Sequence, residues 1–286
     1  MGRSTQILKF CLTLAHLVAG ILWVGSAVVV DRLTGRPWGG GLSRRAQVLW
    51  SRGLCRIIAV QVLSEGDDDD STEPCLLAAN HVSWLDILCL ATVRPICFLS
   101  KAEVRQWPFI GSIAAGLGTL FIRRGARDAA RSAVSDMARR LRGGHSVLFF
   151  PEGTTTAGDR VLPFRARLFQ AASEAAVPVQ PVALMYSEDG RPSRTAPFVG
   201  EETLVGNLWR LCGSAGVEMR QVFLAPIDSD GKGRSTLAAT SRRRVVETLE
   251  RLRHDALARS TLEASACSAT DSQRRQGGRI VRVENQ

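Results

Sequence analysis

Three kinds of hydrophobic pattern follow one another along the chain. From Phe10 to Val30 an apolar run contains no charged residue, which is about enough helix to match a hydrocarbon core roughly 30 Å thick. From Ala46 to Leu63 apolar positions mix with Arg52 and Arg56, the pattern of an amphipathic interfacial helix that runs on into a strand. Beyond Pro74 short apolar runs alternate with helical periods. Strands are predicted at Leu76–Ala79, Ile96–Ser100, Leu120–Ile122, Ser146–Phe150, Val179–Met185 and Val217–Ile227. Helices are predicted after Ser83, over Asp128–Leu141 with Ala129, Ala133, Met137 and Leu141 on one face, over Leu168–Ala176 and over Thr236–Leu257. Such alternation specifies an α/β sheet.

The boundaries are polar. Asp67–Asp70 with Ser71, Thr72, Glu73 and Pro74 reads as a solvated turn, without the spaced ligands and glycine of a calcium loop. Pro95 stops the helix after Asp86, Gly143-Gly144 stops the next, and Ser187–Pro197 reads as a loop. Trp107-Pro108-Phe109-Ile110-Gly111 and the small residues Ala114, Ala115, Gly116 and Gly118 suit a helix and turn packed closely against protein or an acyl chain. Residues 1–63 are thus expected to form a membrane-anchoring helical segment, 64–260 an α/β domain, and 261–286 a disordered polar tail.

Charge narrows the partners. The net charge of +10, almost all from arginine, suits anionic lipid or phosphorylated cofactors. Nucleic acid is not expected, because no aromatic platform interleaves the basic residues. Arg32, Arg36, Arg44, Arg45, Arg52 and Arg56 outnumber Arg3 and Lys9, so the positive-inside rule places the body at the cytoplasmic face of a bacterial-type inner membrane. The apolar run is too long for a signal peptide and lacks a clean cleavage site. Seven cysteines without a C-x2-C pair indicate neither zinc nor a disulfide framework, and no metal site is expected.

Candidate chemistry sits where the strand Leu76–Ala79 ends. Asn80-His81 is followed by Asp86, and the Ser83-x-x-Asp86 spacing of a helix start puts His81 on the strand-to-helix turn. Only from there can a histidine reach a carboxylate five residues on, because five residues in a regular helix place side chains about 140° apart. An imidazole so paired is a general base with its orienter. The same spacing arises by chance in a chain with four histidines, and Asp86 could simply cap the helix. Covalent catalysis through Ser83 or Cys89 lacks a G-x-S-x-G elbow.

Two further stretches, Gly118-Thr119-Leu120-Phe121-Ile122-Arg123-Arg124 and Phe149-Phe150-Pro151-Glu152-Gly153-Thr154-Thr155, join Asn80-His81-x4-Asp86 in the same order and spacing as in the glycerolipid acyltransferase family, which this chain resembles. Val177-Pro178-Val179-Gln180-Pro181-Val182 resembles its fourth block. The resemblance implies a mixed sheet flanked by helices, with an N-terminal membrane helix or helical hairpin that embeds in one leaflet. It implies transfer of a fatty acyl group from acyl-CoA or acyl-carrier protein, with no permanently bound cofactor, to the hydroxyl of a lysolipid among membrane lipids. His81 and Asp86 would be catalytic, while Lys101, Arg124, Glu152, Gly153 and Thr154 would bind substrate. The first expected acceptor is 1-acyl-sn-glycerol-3-phosphate, giving phosphatidic acid. One departure keeps lyso-ornithine lipid and other lysophospholipids open: phosphatidate-forming members usually carry arginine where this chain has Thr155, and Arg165 could replace that charge. A non-catalytic lipid-binding protein is the reading from another class.

Overall fold

The computed structural model of the chain describes residues 2–36, 41–66, 74–106, 110–122 and 128–276. Its centre is a sheet in the order β1-β8-β6-β2-β5-β3-β4, formed by Val60–Glu65, Val217–Phe223, Val179–Glu188, Leu76–Ala79, Val147–Phe149, Cys97–Lys101 and Leu120–Ile122. Neighbouring strands run parallel except β6 with β8, so the sheet is mixed. The two-residue β7 (Arg191–Pro192) folds back antiparallel on β6, so the predicted loop carries a short hairpin.

Period-two alternation divides the core. On β2, Leu77 and Ala79 join a cluster with Leu54, Ile58, Leu85, Leu90, Leu208 and Leu211 on one face. Leu76 and Ala78 join Met137, Leu141, Phe149, Phe169, Val245 and Leu249 on the other. All four β2 residues are buried, as a central strand covered on both faces requires. Helices α2 (Gly41–Ile57), α3 (Leu85–Ala91) and α7 (Leu204–Gly213) cover the first face. The second is covered by α5 (Ala129–Arg142), α6 (Gln170–Ala175) and α8 (Arg234–Gln276).

The predicted apolar segment is the long helix α1 (Arg3–Leu33), paired with α2 as a hairpin. The pair is locked where His16 Nε2 and the Trp50 carbonyl are 2.9 Å apart and Trp50 Nε1 donates to the His16 carbonyl at 3.2 Å. Gly20 allows that approach, since a Cβ there would lie 1.8 Å from Trp50 Nε1. At 100° per residue, the buried Thr13, Gly20, Val24, Ala27, Val28 and Asp31 fall on one side of α1. Ile7, Leu8, Leu12, Val18, Leu22, Trp23, Val29 and Val30 are exposed on the other. The small residues of α4 (Ile110–Gly116) pack on protein: Gly116 abuts Val28 of α1, and Gly111 abuts the Arg105 carbonyl.

Two differences from the sequence reading have physical causes. Helix α8 continues to Gln276, where a disordered tail was expected from 261. Low apolar content reports that a segment cannot build a core, whereas the alanines, leucines and arginines of 256–276 still favour helix. Three arginines of α8 bind it to the body. Arg242 donates to the carbonyls of Leu162 and Val161 at 3.0 and 2.7 Å, Arg244 to Ala225 at 2.8 Å, and Arg253 to Gly158 at 2.6 Å. Helix α7 has no counterpart among the predicted elements. Thr203 caps it by accepting from the Gly206 amide at 3.1 Å.

Candidate active site

Parallel strands β2, β5, β3 and β4 end on one edge of the sheet, where α/β folds place their ligand sites. His81 leaves β2 there. Its Nδ1 lies 2.7 Å from Asp86 Oδ2. Asp86 is fully buried, and its Oδ2 also accepts from the amides of Val82 and Ser83 at 2.8 and 3.1 Å. Tyr186, on β6, donates its hydroxyl to Asp86 Oδ1 at 2.8 Å. Four donors thus surround one carboxylate, which offsets the cost of burying its charge. Only half of the expected capping arrangement forms: Asp86 reaches back to the turn, but the buried Ser83 hydroxyl caps nothing. The turn is bent around the carboxylate to hold His81 before the helix begins.

The imidazole is held from three further directions. Phe150 stacks on it, with centroids 3.8 Å apart and planes 8° from parallel. The His81 amide donates to Glu152 Oε1 at 2.8 Å, and its carbonyl accepts from the Thr156 amide at 2.9 Å. Asn80 closes the strand end by exchanging bonds with the Leu184 backbone at 2.9 and 2.8 Å. The His81 side chain is 18% exposed, and among the described residues nothing bonds to Nε2. A base with a fixed tautomer and an open nitrogen results.

Glu152 is buried and accepts from two amides, His81 at one oxygen and Leu162 at the other at 2.7 Å. Burial pushes its carboxyl up from the usual value, against the pull of those amides. Its carboxylate therefore ties the histidine turn to the 151–162 loop. Gly153 has φ +75°, and a Cβ there would lie 3.1 Å from the Arg165 guanidinium. Arg165 is exposed and stands at the site, and Thr154 is exposed beside it. Thr155 donates to the Phe198 carbonyl. Lys101 is exposed at the end of β3, two strands or about 10 Å from the β2 line. Arg124 lies outside the described residues.

Sequence reasoning missed Tyr186, Phe150, Thr156 and Asn207. Tyr186 is the sole tyrosine, a signal only in hindsight of the sheet order that sets β6 beside β2. Burial, followed by the Asp86 charge, holds the phenol well above its usual range, so it stays a donor. Asn207 of α7 accepts from Trp84 Nε1 at 2.8 Å, anchoring the turn from outside. Cys89 is buried behind Asp86, and Cys55 together with burial pushes its thiol well up, which is unsuited to a nucleophile.

A half-open histidine oriented by a buried carboxylate, on a mixed α/β sheet with the apolar N-terminal helix α1, is the arrangement of a base with its orienter. The chain belongs to the Acyltransferase family, whose sequence profile matches residues 61–185. It is 42% identical over 245 residues to the lyso-ornithine lipid O-acyltransferase of Pseudomonas aeruginosa, covering 86% of this chain and 93% of that protein. It is 36% identical over 185 residues to the 1-acyl-sn-glycerol-3-phosphate acyltransferase of Neisseria meningitidis, covering 65% of this chain and 72% of that one. The crystal structure of the 1-acyl-sn-glycerophosphate acyltransferase PlsC from Thermotoga maritima shares the fold. The TM-score is 0.62 at 22% identity, over 87% of this chain and 98% of that one.

Proposed function

We propose that the chain transfers a fatty acyl group from the thioester of acyl-CoA or acyl-carrier protein to the free hydroxyl of a lysolipid, with His81 as the base. The observation that carries this is the His81–Asp86 pair with Nε2 open. Nε2 takes the hydroxyl proton as the oxygen attacks the thioester carbonyl; the tetrahedral oxyanion collapses, the C–S bond breaks, and the thiolate leaves with the proton returned by His81. Asp86 holds the tautomer and stabilises the imidazolium. No covalent enzyme intermediate is needed. An amide of the strand-end loop, that of Thr154 first among them, would donate to the oxyanion.

For the acceptor, lyso-ornithine lipid is favoured. The relative of that name shares 42% identity over 86% of the chain, and Thr155 is bonded to a backbone carbonyl instead of offering a cation. A headgroup with one carboxylate needs fewer guanidinium contacts than a phosphate. The second reading, 1-acyl-sn-glycerol-3-phosphate, draws on Arg165 against Gly153, with Lys101 at the end of β3 as a further cation and Arg124 as the cation that the family resemblance implies. The 1–63 segment would anchor the enzyme in one leaflet, because α1 is held to the body at Gln6, which donates to the Trp209 carbonyl, and at Val28, which meets Gly116, and turns only one side outward; the arginines after α1 favour the cytoplasmic face. Helices α1 and α2 thus form the anchor, 64–260 the catalytic body, and 261–276 a helical extension.

The test is transfer by detergent-purified enzyme from labelled acyl-CoA or acyl-carrier protein to a panel of lysophosphatidate, lysophosphatidylethanolamine and lyso-ornithine lipid. Diacyl product from lyso-ornithine lipid alone is expected. Product mainly from lysophosphatidate would reverse the acceptor order, and retained turnover in His81→Ala would remove the base assignment.

A further inference from the structure

We propose that α7 is a second membrane-docking element, whose Leu204, Val205 and Trp209 enter the lipid interface beside α1 and fix the His81 turn relative to the bilayer surface. This rests on α1 being the membrane-bound helix. Val205 and Trp209 are four residues apart and share a helix face. Leu204, Val205 and Trp209 are 40%, 63% and 38% exposed, and Val199 adds 41% just before the helix. Folded chains rarely leave several large apolar side chains together in water without a partner.

Continuity with α1 names the partner as lipid. Phe10 of α1 packs edge-on against Trp209, with centroids 5.3 Å apart. Gln6 donates to the Trp209 carbonyl at 2.9 Å, and Lys9 donates to the Ser214 carbonyl at 3.1 Å. The exposed Ile7, Leu8 and Leu12 of α1 therefore belong to the same element pair as the α7 patch. The nearest paired charges are tied off: Arg210 bonds Glu202 at 2.9 Å and the Pro197 carbonyl at 2.8 Å. A tryptophan beside aliphatic residues is the usual composition of an interfacial helix face.

The inner side of α7 is bound to the catalytic turn. Asn207 is fully buried and accepts from Trp84, three residues after His81. Its amide donates to the Pro197 carbonyl at 3.1 Å and to Glu202 at 3.0 Å. The Phe198 amide donates to the Val82 carbonyl at 3.0 Å. Seating α7 in the interface therefore sets the depth at which His81 meets a hydroxyl carried by a membrane-held lysolipid.

The experiment places an environment-sensitive fluorophore on Val205→Cys, in full-length protein with Cys11 and Cys267 replaced by serine. Glu247→Cys, on α8 across the sheet, is the control. Sucrose-loaded vesicles of phosphatidylethanolamine and phosphatidylglycerol report binding by co-sedimentation. Bound protein should show apolar emission, quenched by spin-labelled lipid, at 205 and not at 247. The pair Leu204→Asp with Val205→Asp should lower transfer to vesicle-borne lysolipid roughly tenfold or more and leave transfer in detergent micelles unchanged. Water-like emission at 205 on sedimented protein would overturn the proposal while leaving the α1 anchor intact. Apolar emission before lipid is added, rising with protein concentration, would assign the patch to a second copy instead. Failure to sediment at all would remove the α1 reading and this one with it.

Discussion

Asp86 makes one carboxylate do two jobs, closing the turn through the Val82 and Ser83 amides and orienting His81. Asp86→Asn replaces one acceptor oxygen with a donor and frees the imidazole tautomer, so kcat should fall roughly a thousandfold or more with the fold retained. Tyr186→Phe removes only the bond to Oδ1; a smaller kcat loss with KM unchanged is expected in the same assay. Glu152 separates two roles. Were it a headgroup contact, Glu152→Gln would raise KM alone. Because both of its oxygens accept amides, the glutamine must point a donor at a donor. Loss of about 1–3 kcal/mol of stability with a fall in kcat is expected, read by thermal melts beside kinetics. The His81–Asp86 pair was legible because its partners lie five apart in one stretch of chain. Tyr186 and Phe150 were not, since β6 and β5 meet β2 only in the folded sheet.

Among the elements, the α1–α2 hairpin is tied to the body partly through Arg44 of α2, which donates to His145 Nδ1 at the entry to β5. Burial, then Arg44 and Arg140, hold the His145 pKa below the usual histidine range. The unfolded chain therefore takes up a proton at about pH 6.5 before the folded chain does. Stability is full above that value and falls as pH drops through it towards the depressed folded pKa. Protonation also removes the lone pair that accepts from Arg44. His145→Gln keeps an acceptor and cannot titrate, so its melting temperature should fall less between neutral and mildly acidic pH than that of the parent. Periodicity revealed most helices, but α7 was missed although Leu204, Leu208, Leu211 and Cys212 recur at helical spacing, because ten residues give the pattern little more than one repeat.

In the whole molecule the anchor and the catalytic body are not separable parts. Helix α2 supplies Leu54, Cys55 and Ile58 enters the same cluster as Leu77 and Leu85, while α1 packs on α2, α4 and α7. Deleting residues 1–57 should not release a soluble enzyme. It would expose the first sheet face and the inner sides of α4 and α7, so aggregation without transferase activity is expected by size-exclusion chromatography and assay. A monodisperse, active fragment would show that the body's core closes without the hairpin.

The sequence by itself determined the class of fold, the long apolar helix α1, and the pairing of His81 with Asp86, because these depend on local periodicity, run length and short spacing. The family resemblance also marked Thr155 as a departure from the residue usual in phosphatidate-forming members. Tertiary structure decided what depends on strand order and packing: Tyr186 on Asp86, Phe150 on His81, and Glu152 spent on amides. It also decided that one side of α1 is committed to the body along its length. Those relations join residues up to about two hundred positions apart, and no local pattern encodes which strands the sheet makes neighbours.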